Sequence, residues 1–210
     1  MKKEYNKSAE KDKFNIISGE KIKHFRDING LTSEKIAMEL GKQKRTYFYK
    51  IKGDTEFTAS EIWLLTKLFN CTLDDLVKDT KDMSEFEKNK YNKVCNRDSG
   101  STNRTLSYNL KNGEYIGVQS SKEGKFNIIS GEKIKYFMNI NGFTAEKIAD
   151  ELEKEKRTYF YKSKGDTEFT ASEIWILTKL FGCTLDDLIK EPYEMNDFEK
   201  SRFMEIEGRK

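Results

Sequence analysis

Two stretches of this 210-residue chain set cations and aromatic rings at helical spacing: Lys44-Arg45-Thr46-Tyr47-Phe48-Tyr49-Lys50 and, letter for letter, the run from Lys156 to Lys162. The chemistry open to such a segment is recognition rather than bond making. Arg45 offers a planar fork of donors that matches the O6 and N7 acceptors on a guanine edge, and Lys44 beside it sits in the same first turn. Tyr49 lies one helical turn beyond Arg45 and shares its face, whereas Tyr47 and Ile51 are four apart and share an inner one. Gln43, in the turn just before, belongs to the same polar set, and Lys42, Lys50 and Lys52 suit phosphate oxygens as point charges. In the second stretch the same roles fall to Lys154, Lys156, Arg157, Tyr161, Lys162 and Lys164. Together these residues predict a helix that reads the major groove of double-stranded DNA.

Such a helix has to be held in place, and the flanking residues predict the elements that hold it. Thr32 suits the N-cap of a short preceding helix with Ile36, Ala37 and Leu40 on its inner face, and Gly41 stands where a C′ glycine would end it. Upstream, Ser18 precedes a helix with Ile22, Phe25 and Ile28 at intervals of three, closed by Asn29-Gly30. Downstream of Gly53, Thr58 and Glu61 form a capping box before Ile62, Leu65, Leu68 and Phe69, and Thr72 with Asp75 makes a similar start before Leu76. A sixth helix is signalled by Ser84 and Glu87 around Phe86, either as an outer prop for its own unit or as an interface between units.

The whole arrangement is then written a second time, because residues 13–91 recur at 125–203 with a constant offset of 112. The chain is therefore expected to be all-α, with one domain at 13–94, a second at 125–206, and a small core in each. The polar connector 95–124 matches nothing else in the chain. Leu106, Tyr108 and Leu110 alternate before Asn112-Gly113, with Tyr115, Ile116 and Val118 after it, which spells a small β-hairpin at 105–118 as the alternative to a disordered linker. As a flexible tether, a connector of this length would span roughly 30 Å, close to the ~34 Å of one DNA turn.

The run LTSEKIAMELGKQKRTYFYKIKGDTEFTASEIWLLTKLFNCTLDDL, with its spacing from Gly41 to Gly53, the TASEI start of the fourth helix and the closing LDDL, resembles the Cro and phage-repressor helix-turn-helix family. The resemblance covers most of each unit. It implies two tandem repressor-like domains acting as a covalent pseudo-dimer on paired half-sites, in a regulatory role of phage or bacterial origin. It also implies that Lys44, Arg45 and Tyr49 face bases and that Ser33 and Lys52 face phosphate. Lys50 departs from the pattern, since the family usually has an apolar residue there.

The two copies differ where it matters. Thr32 to Gly53 carries six basic and two acidic residues, a net +4, whereas Thr144 to Gly165 carries six basic and five acidic ones, a net +1. Phosphate affinity is expected to be lower in the second copy. Glu153 replaces the turn glycine Gly41 and Ser163 replaces Ile51, so an altered turn and altered packing are expected there too.

Other function classes find little support. His24 is the single histidine and its repeat equivalent is Tyr136, so neither a multi-histidine metal site nor a duplicated histidine-based triad can be assembled, and no Gly-rich phosphate loop is present. Asp74-Asp75 and Asp186-Asp187 sit in first turns, where the helix dipole explains them. An enzyme is not expected, nor a metal or other cofactor. Cys71 and Cys183 read as core residues and Cys95 as a lone thiol, which together with the absence of an 18-residue apolar run predicts a cytoplasmic protein, monomeric or homodimeric, with no membrane contact. The competing reading is a phage-encoded, anti-CRISPR-like inhibitor that uses the same fold to contact a protein, because exposed aromatics with basic neighbours also make protein interfaces.

Overall fold

The computed structural model describes residues 15–85 and 127–191, with isolated further positions at 88, 89, 92 and 197. The described residues form an all-α structure whose helices follow the duplication. In the first copy they are α1 (Gly19–Ile28), α2 (Ser33–Glu39), α3 (Lys44–Ile51), α4 (Ala59–Phe69) and α5 (Leu73–Leu76), followed by a short 3₁₀ turn at Thr80–Asp82. In the second copy they are α6 (Gly131–Ile140), α7 (Ala145–Glu151), α8 (Lys156–Lys164), α9 (Ala171–Phe181) and α10 (Leu185–Leu188). The hairpin expected at 105–118 lies outside the described residues, as does most of the expected sixth helix.

Local chemistry starts and stops these helices where the sequence predicts. Ser18 and Thr32 accept from the backbone N–H groups of Lys21 and Lys35, and Thr58 with Glu61 and Thr72 with Asp75 close reciprocal capping boxes. Gly41 ends α2 at φ +64°. In the second copy Glu153 takes the same left-handed backbone at φ +54°, and the turn survives: Gly41 N–H donates to Met38 O at 2.9 Å, and Glu153 N–H to Asp150 O at 3.1 Å. The substitution therefore leaves a strained residue rather than an altered turn. Ser163 is accommodated as well, because its hydroxyl donates to Phe160 O at 3.0 Å.

Each copy wraps its helices around Ile22, Ile36, Tyr47, Phe57, Ile62, Leu65 and Leu76, or Ile134, Ile148, Tyr159, Phe169, Ile174, Leu177 and Leu188, all buried. A backbone clamp not foreseen in the sequence ties the start of each copy to its end. Ser18 N–H donates to Leu76 O at 2.9 Å and Lys78 N–H to Ile16 O at 2.7 Å, and Ser130, Leu188, Lys190 and Ile128 repeat the pattern. Ile28 does not join the core and is 63% exposed. Three-residue steps each fall about 60° short of a full turn, so Ile28 stands about 120° round the helix from Ile22.

The copies also pack on each other, and the contacts are reciprocal. Ala59 N–H donates to Phe169 O at 2.8 Å while Ala171 N–H donates to Phe57 O at 2.7 Å, around the antiparallel bridge of Thr58 and Thr170. Lys67 pairs with Asp186 at 3.2 Å and Lys179 with Asp74 at 2.9 Å. Ser60 and Lys67 bracket Trp63 and Leu64 on one stripe of α4, and Ser172, Trp175, Ile176 and Lys179 form the matching stripe of α9. Residue i meeting j while j′ meets i′ is the signature of a two-fold relation. The separate small cores expected from the sequence are in fact one continuous apolar cluster. Among the described residues the contact between copies centres on α4 and α9, with Phe57, Phe169, Asp74 and Asp186 at its margins.

Candidate nucleic-acid interface

The start of α3 is positioned from behind. Tyr47 and Ile51 anchor its inner face in the core, and Gly19 at the start of α1 lies so close that a Cβ there would stand 2.1 Å from Ile51 O. Gly131 stands in the same relation to Ser163 O, at 2.3 Å. With its inner side fixed, α3 turns Lys44, Arg45, Phe48 and Tyr49 outward, and α8 does the same with Lys156, Arg157, Phe160 and Tyr161. Gln43 is the N-cap of α3, exposed and making no side-chain cap bond, so its amide stays available.

Arg45 and Tyr49 form a unit. The arginine Nε donates to the tyrosine hydroxyl at 2.7 Å, and the guanidinium lies 5.4 Å from the ring centroid. Arg157 and Tyr161 repeat this with Nε at 3.0 Å and a terminal nitrogen at 2.9 Å. The tyrosine holds the planar fork in place at the outermost part of the helix, which lowers the entropy lost when the fork engages a flat acceptor pair.

Lys44 pairs with Glu34 across the turn from α2, and Lys156 pairs with Glu146. The Lys44 hydrogen bond holds the Glu34 carboxyl below the usual carboxylate range. Each of these lysines must leave its carboxylate to reach an external anion. Lys42 and Lys154 lie at 3.4 and 3.7 Å from Glu61 and Glu173, with much of each side chain exposed. Lys52 and Lys164 are exposed at the far ends of their helices, and Lys164 lies over the Phe160 ring.

Three of the expected phosphate contacts are placed otherwise. Lys50 is 9% exposed, with Nζ 2.8 Å from the buried Glu61 carboxylate and donating to Glu56 O at 2.6 Å. Lys162 is held the same way by Glu173 and Glu168 O. A cation at this inner position is spent on a buried capping-box carboxylate that would otherwise keep only the more distant Lys42, or Lys154, as its ionic partner. Ser33 is buried and accepts from Arg26 at 3.1 Å, so its hydroxyl faces a half-buried guanidinium of the protein itself. Arg26 was missed by sequence reasoning, and its repeat equivalent is Met138, so only the first copy has it.

Phe48, which the sequence raised only as an exposed aromatic for a protein interface, and its equivalent Phe160 are surface groups, at 39% and 46% exposed. The spacing held the signal: with Tyr47 and Ile51 inside, residue 48 falls on the flank of the helix. Around Phe160 the surface forms a shallow depression lined by Lys156, Arg157, Tyr161 and Lys164. Cys71 and Cys183 pack against the core half-buried, and burial pushes the Cys71 thiol up to about 12. Among the described residues no helix is long and apolar enough to cross a membrane. Comparison of the chain with protein-family models, with curated proteins and with solved structures found no match.

Proposed function

We propose that this protein is a cytoplasmic, sequence-specific double-stranded DNA-binding regulator of the phage-repressor type, in which two helix-turn-helix domains on one chain act as a covalent pseudo-dimer. The observation that carries the reading is the pair of tyrosine-backed arginines, Arg45 and Arg157, exposed at equivalent places on two copies related by reciprocal contacts. Each arginine reads a guanine edge, with Lys44, Lys156 and Gln43 beside it, while Lys42, Lys52, Lys154 and Lys164 neutralise phosphates. Because a two-fold relation reverses one reading helix with respect to the other, the matching target is an inverted repeat rather than the direct repeat that a tandem duplication suggests. The role needs neither a cofactor nor catalysis.

Selection of binding sites from random duplex DNA tests this directly. An enriched inverted repeat whose affinity falls steeply with salt is expected, and Arg45→Ala should relax discrimination at one base pair by about 1–3 kcal/mol. An unenriched pool with salt-insensitive binding would defeat the proposal. A second reading, the inhibitor that docks on another protein, draws on the exposed Met38, Phe48 and Phe160 beside the same helices. That reading requires Arg45→Ala with Arg157→Ala to leave activity in the host intact while apolar substitutions abolish it.

A further inference from the structure

Four of the eight large apolar side chains left exposed among the described residues are Phe48, Tyr49, Phe160 and Tyr161. The two tyrosines have an evident task, since their hydroxyls accept from the arginines. The phenylalanines have no polar atom to offer, and neither belongs to the buried core. Each nevertheless stands three residues beyond the reading arginine, with a cation at its ring: Lys44 Nζ is 5.8 Å from the Phe48 centroid and Lys164 Nζ is 5.4 Å from that of Phe160.

An apolar ring inside a rim of cations calls for a ligand that is anionic at its edge and apolar at one point. In the major groove of duplex DNA only one of the four natural bases presents an apolar group, the 5-methyl of thymine. Three residues along a helix amount to about 4.5 Å of rise, a little more than the ~3.4 Å between successive base pairs. A thymine beside the guanine that the arginine reads would therefore bring its methyl to the phenylalanine.

Resting on the DNA-binding reading above, we infer that Phe48 and Phe160 are specificity-determining residues that read the 5-methyl group of a thymine adjacent to the arginine-read guanine in each half-site. The cationic neighbours differ, Lys44 from the start of α3 and Lys164 from the end of α8, so the two rings are steered from opposite sides. The base step preferred by the second copy need not be the one preferred by the first.

Replacing each thymine of the selected duplex singly by deoxyuridine removes only the methyl group and tests this on the full chain. One thymine in each half-site should lose about fourfold in affinity on demethylation, the size expected for one buried methyl. In Phe48→Ala the loss should vanish for the first half-site alone, in Phe160→Ala for the second alone, and Phe48→Leu should retain part of it. Both rings are exposed, so thermal melting of the alanine variants should match the parent. Methyl sensitivity that persists in the alanine variants, or a selected duplex indifferent to every demethylation, would overturn this inference while leaving DNA binding intact. Failure to select any sequence would overturn both.

Discussion

At the scale of single residues, the four lysines of each reading segment divide by what stands behind them. Lys50 and Lys52 are two positions apart, yet one is locked on Glu61 and the other faces solvent. Lys50→Met should therefore cost about 3–5 kcal/mol in denaturant unfolding, because the Glu61 carboxyl is left in a buried place with only Lys42 nearby. The same variant should leave the salt dependence of DNA binding unchanged. Lys52→Ala should do the reverse, holding stability while reducing the slope of log affinity against log salt by about 0.9. The sequence alone could not separate these lysines, since both are cations in a basic helix. The apolar residue usual at position 50 in the family that the run resembles did hint at an inner place, and the partner that makes a cation tolerable there, Glu61, was legible only as a capping residue. Arg45 and Tyr49 were readable as a shared face; that the tyrosine hydroxyl orients the guanidinium was not, because spacing says which residues meet but not by which atoms.

At the scale of elements, caps and glycines carried most of the information. Ser18, Thr32, Thr58 and Thr72 start helices as their types and following residues suggest, and Gly41 and Gly53 adopt the left-handed backbone. What stayed hidden were contacts between distant elements, such as the clamp of residues 16–18 on 76–78 and the approach of Gly19 to Ile51. Gly19→Ala should destabilise the fold by about 1–3 kcal/mol, since the added methyl meets a backbone carbonyl that belongs to a packed helix and cannot swing aside. Glu153 gives the opposite expectation. It occupies a left-handed position that its equivalent fills with glycine, so Glu153→Gly should raise stability by about 1 kcal/mol in a thermal or denaturant melt. It also removes a negative charge from the turn of the second copy, and the affinity of that copy for DNA should rise with it. A stabilised protein with unchanged affinity would detach the charge difference from the inequality expected of the two copies.

For the whole molecule, the surface that joins the copies is partly ionisable. Burial pushes the carboxyls of Glu56 and Glu168 up, against hydrogen bonds to Thr170 and Ser172 for the first and to Ser60 and Thr58 for the second. Glu173 and Lys154 face Glu56, and Glu61 and Lys42 face Glu168. A carboxyl whose folded-state value is raised disfavours the folded form while it is ionised, and that cost disappears as the pH falls through the raised value. Mild acidification should therefore strengthen the union of the copies, until protonation of carboxyls held low by the fold, such as the Asp75 cap, reverses the trend. Glu56→Gln with Glu168→Gln should lift the melting temperature at neutral pH, by about 3 °C for each kcal/mol relieved in a chain of this size, and flatten the mild-acid rise. The reciprocal backbone bonds of Ala59 with Phe169 and of Ala171 with Phe57 have one more outcome. They are internal to one polypeptide, so no association constant governs them and no dilution separates the halves. A dimer built from separate chains fills its target with the square of its abundance when scarce; this protein should follow a plain hyperbola, with a Hill coefficient of about 1, down to the last molecule.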